Sequence, residues 1–372
     1  MKRNCFCMMI IVAFMLFSCS NERKQGDLPE IPVDIDQNIS LALSEIAEEI
    51  IAIELELTDQ SLINTDYIKY VIISGDNIVI QESTKTLVFN MTGKFVQSIG
   101  SKGQGTGEYN FLSSLTIDEQ NKRLYIITSS PDKIMCYDIY GKFLKESFYH
   151  SVISGTASEI IYIDGELLII CQSPCEDKNG LFKSSTVYRL DENFRLIDSC
   201  SIRNDYFEGV RLIEQTQDVL FQEGSSIYFY YREVYKAPQF CSGKEVVLRD
   251  TLYRFEKNRL IPELKLKFKN DGISGGNKFI DLYSIYRSSR YIFSNYEHNL
   301  NKNKYYFCYD TKTGKGNNMQ DGYTDDINGI DIRVKIRPSN LNPEMFYYLH
   351  TNMKPDDLVE PNPTLYVGRL KK

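Results

Sequence analysis

Met135-Cys136-Tyr137-Asp138-Ile139-Tyr140-Gly141-Lys142-Phe143 decides how the chain is read, because looser versions of it recur on both sides. Upstream stands Leu87-Val88-Phe89-Asn90-Met91-Thr92-Gly93-Lys94-Phe95. Downstream come Val187-Tyr188-Arg189-Leu190-Asp191-Glu192-Asn193-Phe194, Leu252-Tyr253-Arg254-Phe255-Glu256-Lys257-Asn258-Arg259 and Phe307-Cys308-Tyr309-Asp310-Thr311-Lys312-Thr313-Gly314-Lys315. Gly or Asn stands at the turn of each copy, where a tight hairpin needs φ > 0. A short apolar strand comes before each piece: Asn77–Ile80, Arg123–Ile126, Glu166–Ile169, Ser226–Phe229 and Arg290–Phe293. A sixth, Glu344–Tyr347, precedes the closing strand Leu365–Leu370.

Turns that lie roughly 48 to 65 residues apart, with short strands between them, are the pattern of propeller blades. The second copy divides into four antiparallel strands, Ser114–Asp118, Leu124–Thr128, Ile134–Asp138 and Phe143–Phe148. Two β-sandwich domains would also give short, evenly spaced strands. The six-fold return of one strand–loop–aromatic-hairpin piece favours an all-β, six-bladed propeller of four-stranded antiparallel blades. The sixth unit has no room for a fourth strand after Leu370. Ile50–Leu57 alternates in period two and is expected to supply it from the N-terminal side, removing the open edges. Ser40–Glu49 before it reads as a short helix or turn.

The 372 residues carry a net charge of −7, 26 Tyr, 20 Phe and no Trp. Such an acidic chain is a poor partner for nucleic acid, which needs clustered Lys and Arg against its phosphates. The aromatic wealth suits pleated strands.

The N-terminus reads as an export signal. Lys2 and Arg3 precede an apolar run, Cys5 to Phe17, that is too short for a bilayer span of about 20 residues. Leu16-Phe17-Ser18-Cys19 resembles the lipobox of lipoprotein signal peptides, which implies cleavage before Cys19, an acyl anchor on its sulfur and a multiply acylated cysteine. Residues 1–18 are then the signal, 19–38 a polar tether, and 39–372 the propeller. The lipid on Cys19 would be the membrane contact, since one acyl chain alone anchors weakly. Ser20 and Glu22 fit an acidic surface-export patch while Arg23 and Lys24 break it, so the expected location is the outer membrane with either face open.

Gly100-Ser101-Lys102-Gly103-Gln104-Gly105-Thr106-Gly107-Glu108-Tyr109 resembles the Gly-Gln-Gly-x-Gly-Glu-Tyr loop of the six-bladed β-propeller lipoproteins abundant in Bacteroides-type bacteria. The ending Asn362-Pro363-Thr364-Leu365-Tyr366-Val367-Gly368-Arg369-Leu370-Lys371 is similar to that family's C-terminus. The resemblance implies fold and location, because the family has no general biochemical role to carry over. As a phosphate cradle the glycine loop fails, since no Gly-Lys-Ser/Thr follows its first glycines. It reads better as a blade-to-blade crossover, with Glu108 and Tyr109 on the face where propellers commonly hold ligands.

Catalytic groups are sparse. His150, His298 and His350 form no ligand pair, and no Gly-x-Ser-x-Gly elbow is present. Asp325-Asp326 and Asp356-Asp357 read as solvated turns. Cys136, Cys171, Cys175, Cys200, Cys241 and Cys308 read mostly as small buried apolar groups, with a Cys171–Cys175 disulfide as the one local alternative. No metal or cofactor is expected. Tyr228-Phe229-Tyr230-Tyr231 and Tyr305-Tyr306-Phe307 must place rings on both strand faces, so not all should lie between blades. Rings at a propeller mouth could stack on sugars or peptides, while packing between neighbouring blades is the commoner role. The expectation is a monomeric binding or scaffold body for a protein or glycan partner, using the loops Ser173–Lys183, Arg232–Val246 and Tyr296–Lys304. The rival is a polysaccharide hydrolase or lyase, which needs carboxylates with Tyr or His at the central mouth.

Overall fold

The computed structural model describes residues 28–372 apart from 179, 207–211, 214–218, 232–234, 237–249, 270–272, 275–276, 279, 299–301 and 353–359. Six four-stranded antiparallel units stand around a central axis as a β-propeller. Blade 1 begins with the inner strand Ile68–Ser74, blade 2 with Phe111–Asp118, blade 3 with Thr156–Ile163, blade 4 with Val219–Glu223 and blade 5 with Ile280–Arg287. In blade 6 the inner strand shrinks to Arg337–Pro338.

The recurring sequence piece is the third strand with its turn. In blade 2 the Asp138 carboxylate accepts from the backbone N–H of Tyr140 and Lys142, each at 2.9 Å, and Gly141 turns the chain at φ +79°. Asn90 with Gly93 and Asp310 with Gly314 build related corners. The third copy departs from the expected Gly or Asn, because Phe194 itself takes φ +64°. Its buried ring meets Tyr125 edge-on at 6.3 Å with the Lys145 ammonium over it, and this packing offsets the cost of a left-handed conformation.

The core is divided among six wedges, one in each gap between neighbouring blades. The aromatic runs pack between blades, the commoner of the two roles, and what changes is the inference that rings on both faces must leave some of them outside. Tyr228 and Tyr230 pack toward blade 5 while Phe229 and Tyr231 pack toward blade 3, so both faces of the strand lie between blades. Tyr305 and Phe307 likewise join the blade 4–5 wedge, and Tyr306 packs on the blade 5–6 side.

Ring closure follows the expected plan. Strand β2, Ala47–Glu54, pairs antiparallel with Thr364–Leu370 as the outer strand of blade 6. Just ahead of β2 lies helix α1, Leu43–Ile46. Asn362 fixes the junction: it accepts from Ile63 N–H at 2.8 Å and donates to the Glu56 and Ser61 carbonyls at 2.9 and 2.8 Å. The Asn-Pro of the C-terminal motif therefore clamps the last strand to the chain entering blade 1.

The segment read as a tether is not free throughout. Glu30–Val33 forms a strand, β1, hydrogen-bonded in parallel along Arg259–Phe268, the outer strand of blade 4. Ile31 and Val33 enter the blade 4–5 core, which supplies the burial that a polar tether lacks. The chain then passes blade 5, where Asn318 donates to the Gln37 carbonyl. The signal and Cys19 lie outside the described residues.

Two loop expectations also change. Ser173–Lys183 is mostly ladder, because the blade 3 strands Glu166–Asp177 and Gly180–Asp191 stay paired out to the turn. Tyr296–Lys304 is likewise shortened by pairing as far as His298 and Asn303. Most of Arg232–Val246 lies outside the described residues. Cys171 and Cys175 are free thiols four residues apart on one extended strand. That separation is about 13 Å, beyond disulfide reach. Cys136, Cys171 and Cys308 are buried and Cys200 is half-buried, while Cys241 lies outside the described residues.

Candidate functional site

The inner strands leave a central cavity of about 960 Å³. Blades 1 to 3 contribute Lys69, Tyr70, Ser113, Thr156, Ser158 and Glu159. Sequence neighbours such as Lys69 with Tyr70 and Ser158 with Glu159 both border the cavity, so these inner strands present their edges, with polar and aromatic side chains from both faces.

Glu159 organises this side. Only 3% exposed, it accepts hydrogen bonds from the Tyr70 hydroxyl at 2.5 Å and from Ser114 Oγ at 2.9 Å. Burial first, then the Glu159 charge, pushes the Tyr70 phenol well above its ordinary value. Lys69 donates to the Leu112 carbonyl at 2.6 Å. Burial lowers its pKa, and the charge of Glu159 works in the opposite direction. The carboxylate, phenol and ammonium form a self-satisfied group.

The opposite wall differs. Blade 5 lines the cavity with three successive strands: Tyr286 on the inner one, Phe293 and Asn295 on the second, Lys304 and Tyr306 on the third. Blade 6 faces them with Tyr323, Ile336, Arg337 and Tyr347. Because its inner strand is two residues long, the cavity extends sideways between these blades. Burial raises the Tyr306 phenol pKa, with Arg337 opposing. Lys304 and Arg337 are exposed within this space, and among the described residues neither has a carboxylate at ion-pair distance.

Glu108 and Tyr109, the residues expected on a ligand face, lie away from this cavity. Tyr109 is 2% exposed and donates to the Ile99 carbonyl at 2.5 Å, and burial raises its phenol to about 12. Glu108 accepts from Gly105 N–H at 2.9 Å within its own loop. Neither lines the cavity. The loop is the crossover read from its glycines: at Gly100, φ +66°, a Cβ would stand 2.7 Å from the Tyr109 ring. Buried Lys133 pins it by donating to the Gly105 carbonyl at 2.7 Å and pairing with Glu146 at 3.0 Å.

Of the pair read as a solvated turn, Asp326 is an exposed turn residue and Asp325 is not. Asp325 is buried and accepts from the Tyr348 hydroxyl at 2.6 Å, and Asp326 accepts from Ser44 of α1. Asp356 and Asp357 lie outside the described residues. His150 sits on the surface 3.0 Å from Asp132. Among the described residues no three His, Cys, Asp or Glu are gathered as metal ligands. No helix of the described residues is long and apolar enough to cross a membrane.

Apart from Tyr306, which lies in the aromatic run Tyr305-Tyr306-Phe307, the cavity residues escaped the sequence reading because they come from many separate strands on several blades. Lys69, a charge inside the apolar run Ile68–Ile72, was the one local signal.

Fold and cavity define a six-bladed β-propeller with a polar, tyrosine-rich axial chamber. The chain belongs to the family described as "Domain of unknown function (DUF4934)", whose pattern matches residues 28–366. A "Putative exported protein" of Bacteroides fragilis NCTC 9343 shares the fold, with a TM-score of 0.63 and 19% identity over 92% of this chain and 99% of that one. A duf4221 family member from Bacteroides vulgatus aligns with a TM-score of 0.50 and 9% identity, over 87% of this chain and 97% of that one. At these identities the likeness shows the fold alone. No curated protein matches the chain.

Proposed function

We propose that the chain is a lipid-anchored envelope binding module, tethered through Cys19, that takes a glycan or protein partner at the central cavity. The observation that carries this reading is the open chamber itself, where tyrosine rings, amides and hydroxyls converge in a concave site. The similar fold of an exported Bacteroides protein supports an envelope setting, and the Leu16–Cys19 pattern supports the anchor. A glycosidase would need two facing carboxylates. The described lining supplies only Glu159, and Tyr70 and Ser114 already hold it.

The test is a binding screen against envelope glycans and peptides, using the full chain and the cavity-filling variant Ser113→Trp. Binding that disappears in the variant supports the chamber as the site, and unchanged binding moves the site to the outer loops. Labelling with a radioactive fatty acid tests the anchor, and Cys19→Ala should abolish the label.

A further inference from the structure

The blade 5–6 side of the cavity lines its space with two cations, Lys304 and Arg337, and no carboxylate. The chain is acidic overall, yet its chamber carries three cations, Lys69, Lys304 and Arg337, against one carboxylate. Lys69 and Glu159 belong to the satisfied group of the opposite wall. Lys304 and Arg337 are the surplus. Lys304 lies two residues from Tyr306 on one strand and so shares its face, and Arg337 stands directly across the ladder from Tyr347. Across the ladder from Lys304 stands Glu297, whose carboxylate is engaged with Lys302 and the Tyr283 hydroxyl, and Arg337 lies beside the Tyr347 phenol. The two cations keep no carboxylate at ion-pair distance among the described residues and border an aromatic-lined concavity. A guanidinium matches a carboxylate in a two-point, planar fit, and a lysine adds a point charge.

We propose that the lateral cleft between blades 5 and 6 binds a carboxylate-bearing saccharide, with Lys304 and Arg337 as its charge contacts. The inference rests on the reading of the chamber as the ligand site. A saccharide fits better than an acidic peptide because the neighbouring groups are a flat phenol face, Tyr306, and an amide, Asn295, which suit sugar rings and hydroxyls. Phe293 in the same wall is already buried among core residues.

The experiment is calorimetric titration with uronate oligosaccharides (polygalacturonate, alginate and chondroitin fragments), with matched neutral oligosaccharides and with a poly-glutamate peptide. The expected result is binding of at least one uronate, at least tenfold tighter than its neutral match and the peptide, and weakening as salt is added. Lys304→Met and Arg337→Gln should each lose at least tenfold, while Lys142→Gln, on an exposed blade 2 turn, should not. Thermal unfolding establishes that each variant is folded. If neutral and acidic sugars bind alike and Ser113→Trp abolishes both, the anionic inference fails while the chamber reading stands. Tighter peptide binding, or no uronate binding, also overturns the inference. Uronate binding that survives Ser113→Trp overturns both.

Discussion

The two walls of the chamber occupy equivalent places in the same fold and treat charge in opposite ways. On blades 1 to 3, Glu159 has drawn Tyr70 and Ser114 onto itself, and Lys69 rests on a backbone carbonyl. On blades 5 and 6, Lys304 and Arg337 face a shared space with no carboxylate partner among the described residues. An inward strand position can thus serve closure or recognition. Satisfied groups contribute to stability, whereas unpaired ones lower it and persist where function uses them.

Replacing Glu159 by Ala should break the comparison most sharply. It strands a phenol and a serine hydroxyl and leaves Lys69 without its counter-charge, at a cost of about 3 kcal/mol in urea unfolding. Tyr70→Phe should cost less, about 1.5 kcal/mol, since Ser114 still reaches the carboxylate. The double variant Lys304→Met/Arg337→Gln should change stability by no more than about 0.5 kcal/mol, as expected for charges without partners. A loss of 2 kcal/mol or more there would erase the distinction between the walls.

The smallest effect is in alkali. The Tyr70 phenol is raised well above 10 in the folded state, so below pH 10 its contribution is fully present. As pH rises further the unfolded chain releases its proton first, and stability falls. Lys69 has the opposite sign: burial lowers its pKa, so its charged form costs stability, and that cost is relieved as pH rises through the folded value. Unfolding between pH 9 and 11 should therefore show a shallower decline in Tyr70→Phe than in the parent chain.

Much of this architecture was legible because the aromatic hairpin repeats in local sequence. The four strands of blade 2 and the closing strand could be placed from alternation and turn residues alone. Three features could not. Glu30-Ile31-Pro32-Val33 holds two apolar residues beside a proline, too little to reveal a strand whose partner lies over two hundred positions away. Phe194 hides a left-handed turn residue behind a side chain that normally avoids that conformation, and only its contacts explain it. The chamber is assembled from pieces of several blades, such as Ile68–Ile72 and Thr156–Glu159, so no one window of sequence contains it. Glu108 and Tyr109 were conspicuous as a motif because they hold a crossover together.

Strand β1 also sets a leash. With Glu30 fixed against the rim of blade 4, the chain back to residue 19 spans eleven residues, about 40 Å when fully drawn out. A lipid on Cys19 would then hold the blade 4 rim within that distance of the bilayer. Blade 4 adjoins blade 5, so on the proposed anchor the blade 4–5 edge of the ring would be the part held nearest the attachment point.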